Sequence, residues 1–185
     1  MKHSLLAAAM LLATPLASAA ELADVTVPDS VTVGGTELTL NGLGLREAGW
    51  IDVYVGALYL TSPTNSAEAV IASEGPSRIS LHFVRDVGEE SLTDAWKEGF
   101  ANNSDAATQE AIADRMATFN GFFGDIEEGQ SMVFDMIPGK GTLVTIAGEE
   151  KGMIEGDDFA SALRAIWFGP EPPDDDLKEG MLGED

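Results

Sequence analysis

The segment Trp50–Leu60 constrains the fold more than any other stretch. It reads as one strand with two apolar faces. Ile51, Val53, Val55, Ala57 and Tyr59 alternate onto one side, and Trp50, Tyr54, Gly56, Leu58 and Leu60 onto the other, with Asp52 as the polar exception. A strand with one solvated face shows apolar and polar residues in turn; one apolar on both faces is buried between two layers. The chain must therefore place material on both sides of a sheet.

The flanking sequence supplies that material. Val25–Val33 alternates around a break at Pro28-Asp29-Ser30, Leu38-Thr39-Leu40 continues the alternation, and Gly42, Gly44 and Gly49 permit tight backbone nearby. Ser77–Asp86 alternates again, with Ile79, Leu81 and Phe83 on one face. The middle of the chain changes period. Glu89–Asn103 stacks Leu92, Trp96, Gly99 and Phe100 on one helical stripe. Asn103 or Ser104 can cap a second helix, in which Ile112, Met116, Phe119 and Phe123 recur and which Gly121 and Gly124 end. Strands return at Ser131–Ile137 and Thr142–Ala147 around the turn Pro138-Gly139-Lys140-Gly141, with a short third piece at Met153-Ile154. Asp157 or Asp158 can cap a last helix carrying Phe159, Leu163, Ile166 and Trp167, closed by Gly169 and Pro170. Strands, helices, hairpin and helix in that order argue for an α+β fold, an antiparallel sheet with helices packed on one face.

Residues 1–19 read as a secretory signal peptide: a basic start at Met1-Lys2-His3, an apolar run from Ser4 to Leu16, and small residues at Ala17-Ser18-Ala19. The apolar run is shorter than the ~20 residues that span a bilayer, and no later segment is longer, so no membrane span is expected. Cleavage near Ala19 would leave a periplasmic or secreted protein. Residues 20–185 then form a single domain, with an acidic, proline-rich and solvated tail from Glu171.

Charge narrows the partners. There are 32 Asp and Glu against 10 Lys and Arg, a formal net charge of -22. Such a surface repels nucleic acid and anionic membranes, and it suits a salty environment that screens self-repulsion. The chain has no cysteine, which excludes disulfides and thiolate metal sites.

No GxSxG elbow, HExxH motif or dinucleotide fingerprint is present. Pro138-Gly139-Lys140-Gly141-Thr142 lacks the first glycine of a phosphate loop and is followed by a strand, so it reads as a hairpin turn. Asp174-Asp175-Asp176 lacks the spaced ligands of a calcium loop. His82 is the one histidine beyond the leader. It falls on the strand face opposite Ile79, Leu81 and Phe83, where it is a structural side chain or, as an alternative, a haem ligand. No other cofactor and no metal site is indicated.

Arg46 stands out. It lies in Asn41-Gly42-Leu43-Gly44-Leu45-Arg46, between apolar segments and next to the buried strand, where a guanidinium needs an anionic partner. A chain reversal near Ala48-Gly49 would bring Tyr54 within about four residue steps, ~13 Å along the strand direction. The two side chains could then bracket one small anion such as a carboxylate, or Arg46 could pair with one of the chain's own acids.

Several stretches resemble the bacterial chalcone isomerase-like proteins, relatives of the plant chalcone isomerases and of fatty-acid-binding proteins. They are Leu40–Arg46, Val53–Leu60, Phe83–Val87, Ile137–Thr142, Phe159–Ala160 through Ile166–Gly169, and Leu182-Gly183. The resemblance implies an open-faced β-sandwich with a ligand cleft between sheet and helices. It also implies that Arg46 corresponds to the arginine that orients substrate in the isomerases and holds the carboxylate in the fatty-acid-binding relatives. Tyr54 corresponds to a catalytic threonine in the former and a tyrosine in the latter. The isomerases' catalytic tyrosine and asparagine would fall near Leu92 and Gly99, where this chain departs from them.

The expected function is a non-catalytic binding protein for an apolar anionic small molecule such as a fatty acid. Arg46 and Tyr54 would hold its carboxylate, and Trp96, Phe100, Met116, Phe119 and Phe123 would line the apolar side. Alternatives are an intramolecular lyase or isomerase acting on a small enone through Arg46 and Tyr54, and a haem protein using His82 or Tyr54. Protein partners are unknown from the sequence; one drawn by charge would be basic.

Overall fold

Asp52–Leu60 does form a strand buried on both faces, and the rest of the molecule is arranged around it. The computed structural model describes residues 19–184. The leader expected at residues 1–19 thus falls, apart from Ala19, outside the described residues. Two short strands, β1 (Ala19–Leu22) and β2 (Val25–Pro28), pair with each other as a separate antiparallel ribbon. Seven further strands form one antiparallel sheet in sequence order: β3 (Ser30–Val33), β4 (Thr36–Glu47), β5 (Asp52–Leu60), β6 (Ser77–Phe83), β7 (Ser131–Ile137), β8 (Gly141–Ile146) and β9 (Glu149–Ile154). Helices are α1 (Ala67–Ile71), α2 (Glu89–Asn103), α3 (Ala106–Asn120), α4 (Asp157–Phe168) and α5 (Asp175–Met181).

The sheet curls into a half-barrel with the helices on one side, the α+β architecture expected from the sequence. Tyr54 and Leu58 of β5, Ile79, Leu81 and Phe83 of β6, and Met132, Phe134 and Met136 of β7 pack under the helices in the main core. The opposite face carries a smaller cluster. There Ala57 and Tyr59 meet Val33 and Leu38, with Ile137 packed against them, and the Tyr59 hydroxyl donates to the Pro28 carbonyl of the β1–β2 ribbon at 3.0 Å. These two clusters explain why β5 needs no polar face.

Most of α4 is buried, because it runs between the sheet and the other helices. Its aromatic residues join a ring cluster. Trp96 of α2 packs against Phe119, Phe123, Phe134 and Trp167 with centroids 5.3–5.8 Å apart. Helix starts differ slightly from the expected ones. The side chain of Asp105, rather than Asn103 or Ser104, accepts from the Thr108 amide to cap α3. Gly156 precedes α4, leaving Asp157 and Asp158 in its first turn. Pro138–Gly141 is a hairpin turn joining β7 to β8, with Gly139 and Gly141 at positive φ.

The acidic stretch after Glu171 is not the solvated tail expected. It folds into α5, whose Leu177 and Met181 are fully buried against β4 and β5. Alternating glycines make this possible. Gly42, Gly44 and Gly56 leave a flat sheet surface, and a Cβ at Gly42 or Gly44 would run into the backbone carbonyls of Gly180 or Leu177. The aspartates that suggested solvation are used locally, with Asp174 Oδ1 accepting from the Leu177 amide as the helix cap.

Candidate functional site

Arg46 and Tyr54 are closer than their sequence spacing suggests. The reversal at Ala48–Ile51 is tight, with the Ala48 amide donating to the Ile51 carbonyl at 2.8 Å, and a bulge follows between Arg46 and Glu47. The result sets Arg46 directly opposite Tyr54 across the β4–β5 ladder. Opposed residues in such a pair have Cβ atoms ~5 Å apart; the expected ~13 Å offset is absent because the turn spans Ala48–Ile51 rather than closing at Ala48-Gly49, and the bulge takes up the last residue step.

Both face the helical layer, and both line a cavity of about 440 Å³ between the sheet and α2. Its apolar wall includes Val53, Leu81, Phe83, Leu92, Trp96, Ile166 and Trp167. Ala48 and Ile51 come from the β4–β5 reversal, and Pro173 from the segment leading into α5. Asp174 fixes that segment, its Oδ2 accepting from the Glu47 amide at 2.9 Å.

Arg46 is half-buried, and among the described residues no carboxylate lies within 4 Å of it. Arg78, on the opposite sheet face, shows what a satisfied guanidinium looks like in this protein: it donates twice to Asp135 across the β6–β7 ladder. Tyr54 is buried, and its hydroxyl oxygen accepts from Trp167 Nε1 at 3.1 Å. Among the described residues no acceptor takes the hydroxyl's own hydrogen. Burial pushes the Tyr54 phenol up to about 12; the Trp167 hydrogen bond and the Arg46 charge work against that rise, and the nearby Asp174 charge adds to it. The phenol is therefore a fixed proton donor at neutral pH. An anion placed between Arg46 and Tyr54 would receive one charge-assisted and one neutral hydrogen bond.

Of the expected apolar lining, only Trp96 borders this cavity. Phe100, Phe119 and Phe123 are buried in the aromatic cluster, and Met116 packs against its edge. Their helical spacing was right for a buried face, but that face meets Phe134, Phe159 and other rings rather than an open cleft. His82 lies on the sheet face away from the cavity, half-buried and hydrogen-bonded to Ser80 at 3.2 Å, with its pKa lowered by burial. It cannot share a ligand with Tyr54, which faces the other way. Leu92, near which the resemblance implies the isomerases' tyrosine would fall, presents an alkyl side chain to the cavity. Gly99 packs against Ile166, whose Cγ2 would lie 2.8 Å from a Cβ there.

Sequence reasoning missed three contributors. Trp167, on the apolar stripe of α4, also orients Tyr54. Ser91, in the first turn of α2, and Arg85, on the bend after β6, line the cavity mouth. Arg85 is exposed, and among the described residues no carboxylate lies within 4 Å of it either. Nothing in its local sequence separates it from an ordinary surface arginine.

A second cavity, of about 300 Å³, borders α1 and α4 and contains Arg164. This arginine, rather than Arg46, is the fully buried one. It donates to the Ile71 and Ser73 carbonyls at 3.1 and 2.9 Å, so it serves the C-terminal end of α1. Among the described residues no helix is long and apolar enough to cross a membrane, and no group of three or more potential metal ligands is present.

The model of the family described as chalcone isomerase-like matches residues 19–183. Among solved structures, the crystal structure of an Arabidopsis thaliana fatty-acid binding protein superposes with a TM-score of 0.71 at 17% identity, covering 89% of this chain and 96% of that one. No curated protein gives a significant match.

Proposed function

Because the chain belongs to the chalcone isomerase-like family, we propose that it binds an apolar small molecule with an anionic headgroup, a fatty acid in the first instance, without transforming it. The observation that carries this reading is the pair Arg46–Tyr54 at the wall of an apolar cavity, where among the described residues no carboxylate pairs with the guanidinium and no acceptor takes the phenol's proton. The fold shared with a fatty-acid binding protein supports it.

Magnitudes divide the labour. Each methylene withdrawn from water contributes ~0.8 kcal/mol, so a chain of about ten carbons outweighs the ~1.5–3 kcal/mol of one charged hydrogen bond. The cavity of about 440 Å³ has room for roughly a dozen groups, taking a methylene to fill much the same ~30 Å³ as a water molecule. Affinity thus comes from the apolar wall, and Arg46 fixes which end of the molecule enters last.

Retention of the isomerases' chemistry is disfavoured by the same wall. Leu92 has no proton to give, Gly99 has no side chain, and Tyr54 keeps its proton up to about 12 and so cannot act as a base at neutral pH. Export to the periplasm, inferred from residues 1–19, would place the protein where exogenous amphiphiles pass.

The test is calorimetric titration of the full chain and Arg46→Ala with a fatty acid and the alcohol of equal length. Arg46→Ala is expected to weaken the acid tenfold or more, the equivalent of ~1.5–3 kcal/mol, and to leave the alcohol nearly unchanged. Equal losses for both ligands would remove Arg46 from the headgroup site.

A further inference from the structure

A monocarboxylate between Arg46 and Tyr54 leaves a second guanidinium at the same mouth without a counter-charge. Arg85 lines the cavity that Arg46 lines. The ladder places them apart but within convergence. Arg46 is opposite Tyr54, and Tyr54 is opposite Phe83, so two strand spacings, ~10 Å, separate Arg46 from Phe83. Arg85 follows two residues later, where the Val84 amide still donates to Val53. Two long, flexible arms rooted about 12 Å apart can meet over one headgroup.

Among the described residues, the acids around the mouth form no ion pair with them. Asp86 also borders the cavity, but its Oδ1 accepts from the Glu128 amide at 2.8 Å, which turns it toward the β7 side of the loop. Asp174 is held by the Glu47 and Leu177 amides. In a chain with 32 acidic and only 10 basic side chains, the two guanidiniums that border one cavity are both without a carboxylate within 4 Å among the described residues.

We infer that the cavity selects an amphiphile whose headgroup carries two negative charges, of which an alkyl phosphate monoester is the simplest, and that Arg85 is the residue that reads the second charge. The inference rests on the binding function proposed above. A phosphate near neutral pH carries close to two charges and offers three acceptor oxygens, enough for Arg46, Arg85 and the Tyr54 hydroxyl together. Ser91 lies beside the same mouth and can donate to it. Arginine suits this role because its planar fork bonds phosphate in two places at once.

The experiment compares dodecyl phosphate, dodecanoate and dodecanol at pH 8, by calorimetry, on the full chain and on Arg85→Gln. Arg85 is exposed on a bend, so the glutamine variant is expected to keep the wild-type near-ultraviolet circular dichroism. Wild type should bind the phosphate at least tenfold more tightly than the carboxylate. Arg85→Gln should erase that preference while weakening dodecanoate less than threefold. Equal affinity of wild type for both anions, or a preference that survives in Arg85→Gln, would overturn the assignment of Arg85 yet leave the carboxylate reading intact. Binding of neither anion would overturn both readings together.

Discussion

Tyr54 shows how much one side chain's surroundings decide. It has two hydrogen-bonding roles, and the protein fills one: Trp167 Nε1 donates to its oxygen. The remaining role faces the cavity that Arg46 also borders. The chain has two tyrosines, and burial pushes both Tyr54 and Tyr59 up to about 12 from an ordinary 10.0. The fold therefore favours the protonated phenols. Their contribution to stability is complete below pH 10.0 and is lost as pH rises through about 12. Titration followed by tyrosinate absorbance should show no step near pH 10 in the folded protein, and Tyr54→Phe should halve the step seen near 12. A full-height step near 10 without loss of structure would contradict the burial of both rings. Arg46 was legible in the sequence because a charge among apolar residues needs an explanation. Trp167 and Arg85 were not, since their relation to Tyr54 and to the cavity exists only after residues far apart in the chain are brought together. Arg164 was hidden for a related reason: its partners are backbone carbonyls, which have no sequence signature.

The elements were mostly readable and their partners were not. Alternation gave the strands and a period of 3.6 gave α2, α3 and α4, because a half-buried element must separate its faces. The same patterns cannot tell a cavity wall from a packed ring cluster: Phe100, Phe119 and Phe123 lie in the core and Met116 packs against its edge, none of them bordering the cavity. The last helix was missed because Asp174-Asp175-Asp176 looks like a solvated run, whereas Asp174 caps α5 and Leu177 and Met181 anchor it. What holds α5 down is the glycine surface of β4. Gly44→Ala would push a methyl into the Leu177 carbonyl, a backbone clash that no rotamer change relieves. It should cost about 1–3 kcal/mol in urea unfolding, the usual range for overpacking. It should also weaken ligand binding, because Pro173 and Asp174 lead directly into α5 and border or brace the cavity. Gly124→Ala is the control: nothing lies within 4 Å of a Cβ there, so its effect should stay within about 0.5 kcal/mol. Equal effects from the two substitutions would mean that α5 does not rest on β4.

At the scale of the whole molecule, two electrostatic effects oppose each other, and their ranges decide which is seen. The net charge of -22 is spread over the surface, and the ion pairs among the described residues engage only four carboxylates: Asp135, Asp94, Asp158 and Glu149. The remaining acids repel one another and also repel an incoming anion. The attraction of Arg46 and Arg85 for a headgroup acts only at contact, in a partly enclosed cavity. Salt shortens the screening length from ~10 Å at 0.1 M to ~3 Å at 1 M, which removes diffuse repulsion far more completely than a contact pair. Sodium chloride should therefore stabilise the fold. A gain of about 1–2 kcal/mol would raise Tm by roughly 2–8 °C for a chain of this size. Over the same range, stopped-flow mixing with an alkyl anion, followed by the fluorescence of Trp96 and Trp167, should show a rising association rate and a nearly constant dissociation rate. A falling association rate would mean that the local field of the two arginines reaches well beyond the cavity mouth and outweighs the charge of the whole surface. In that case the headgroup would be captured by long-range attraction, and the apolar wall would have less to do with entry than the contact geometry implies.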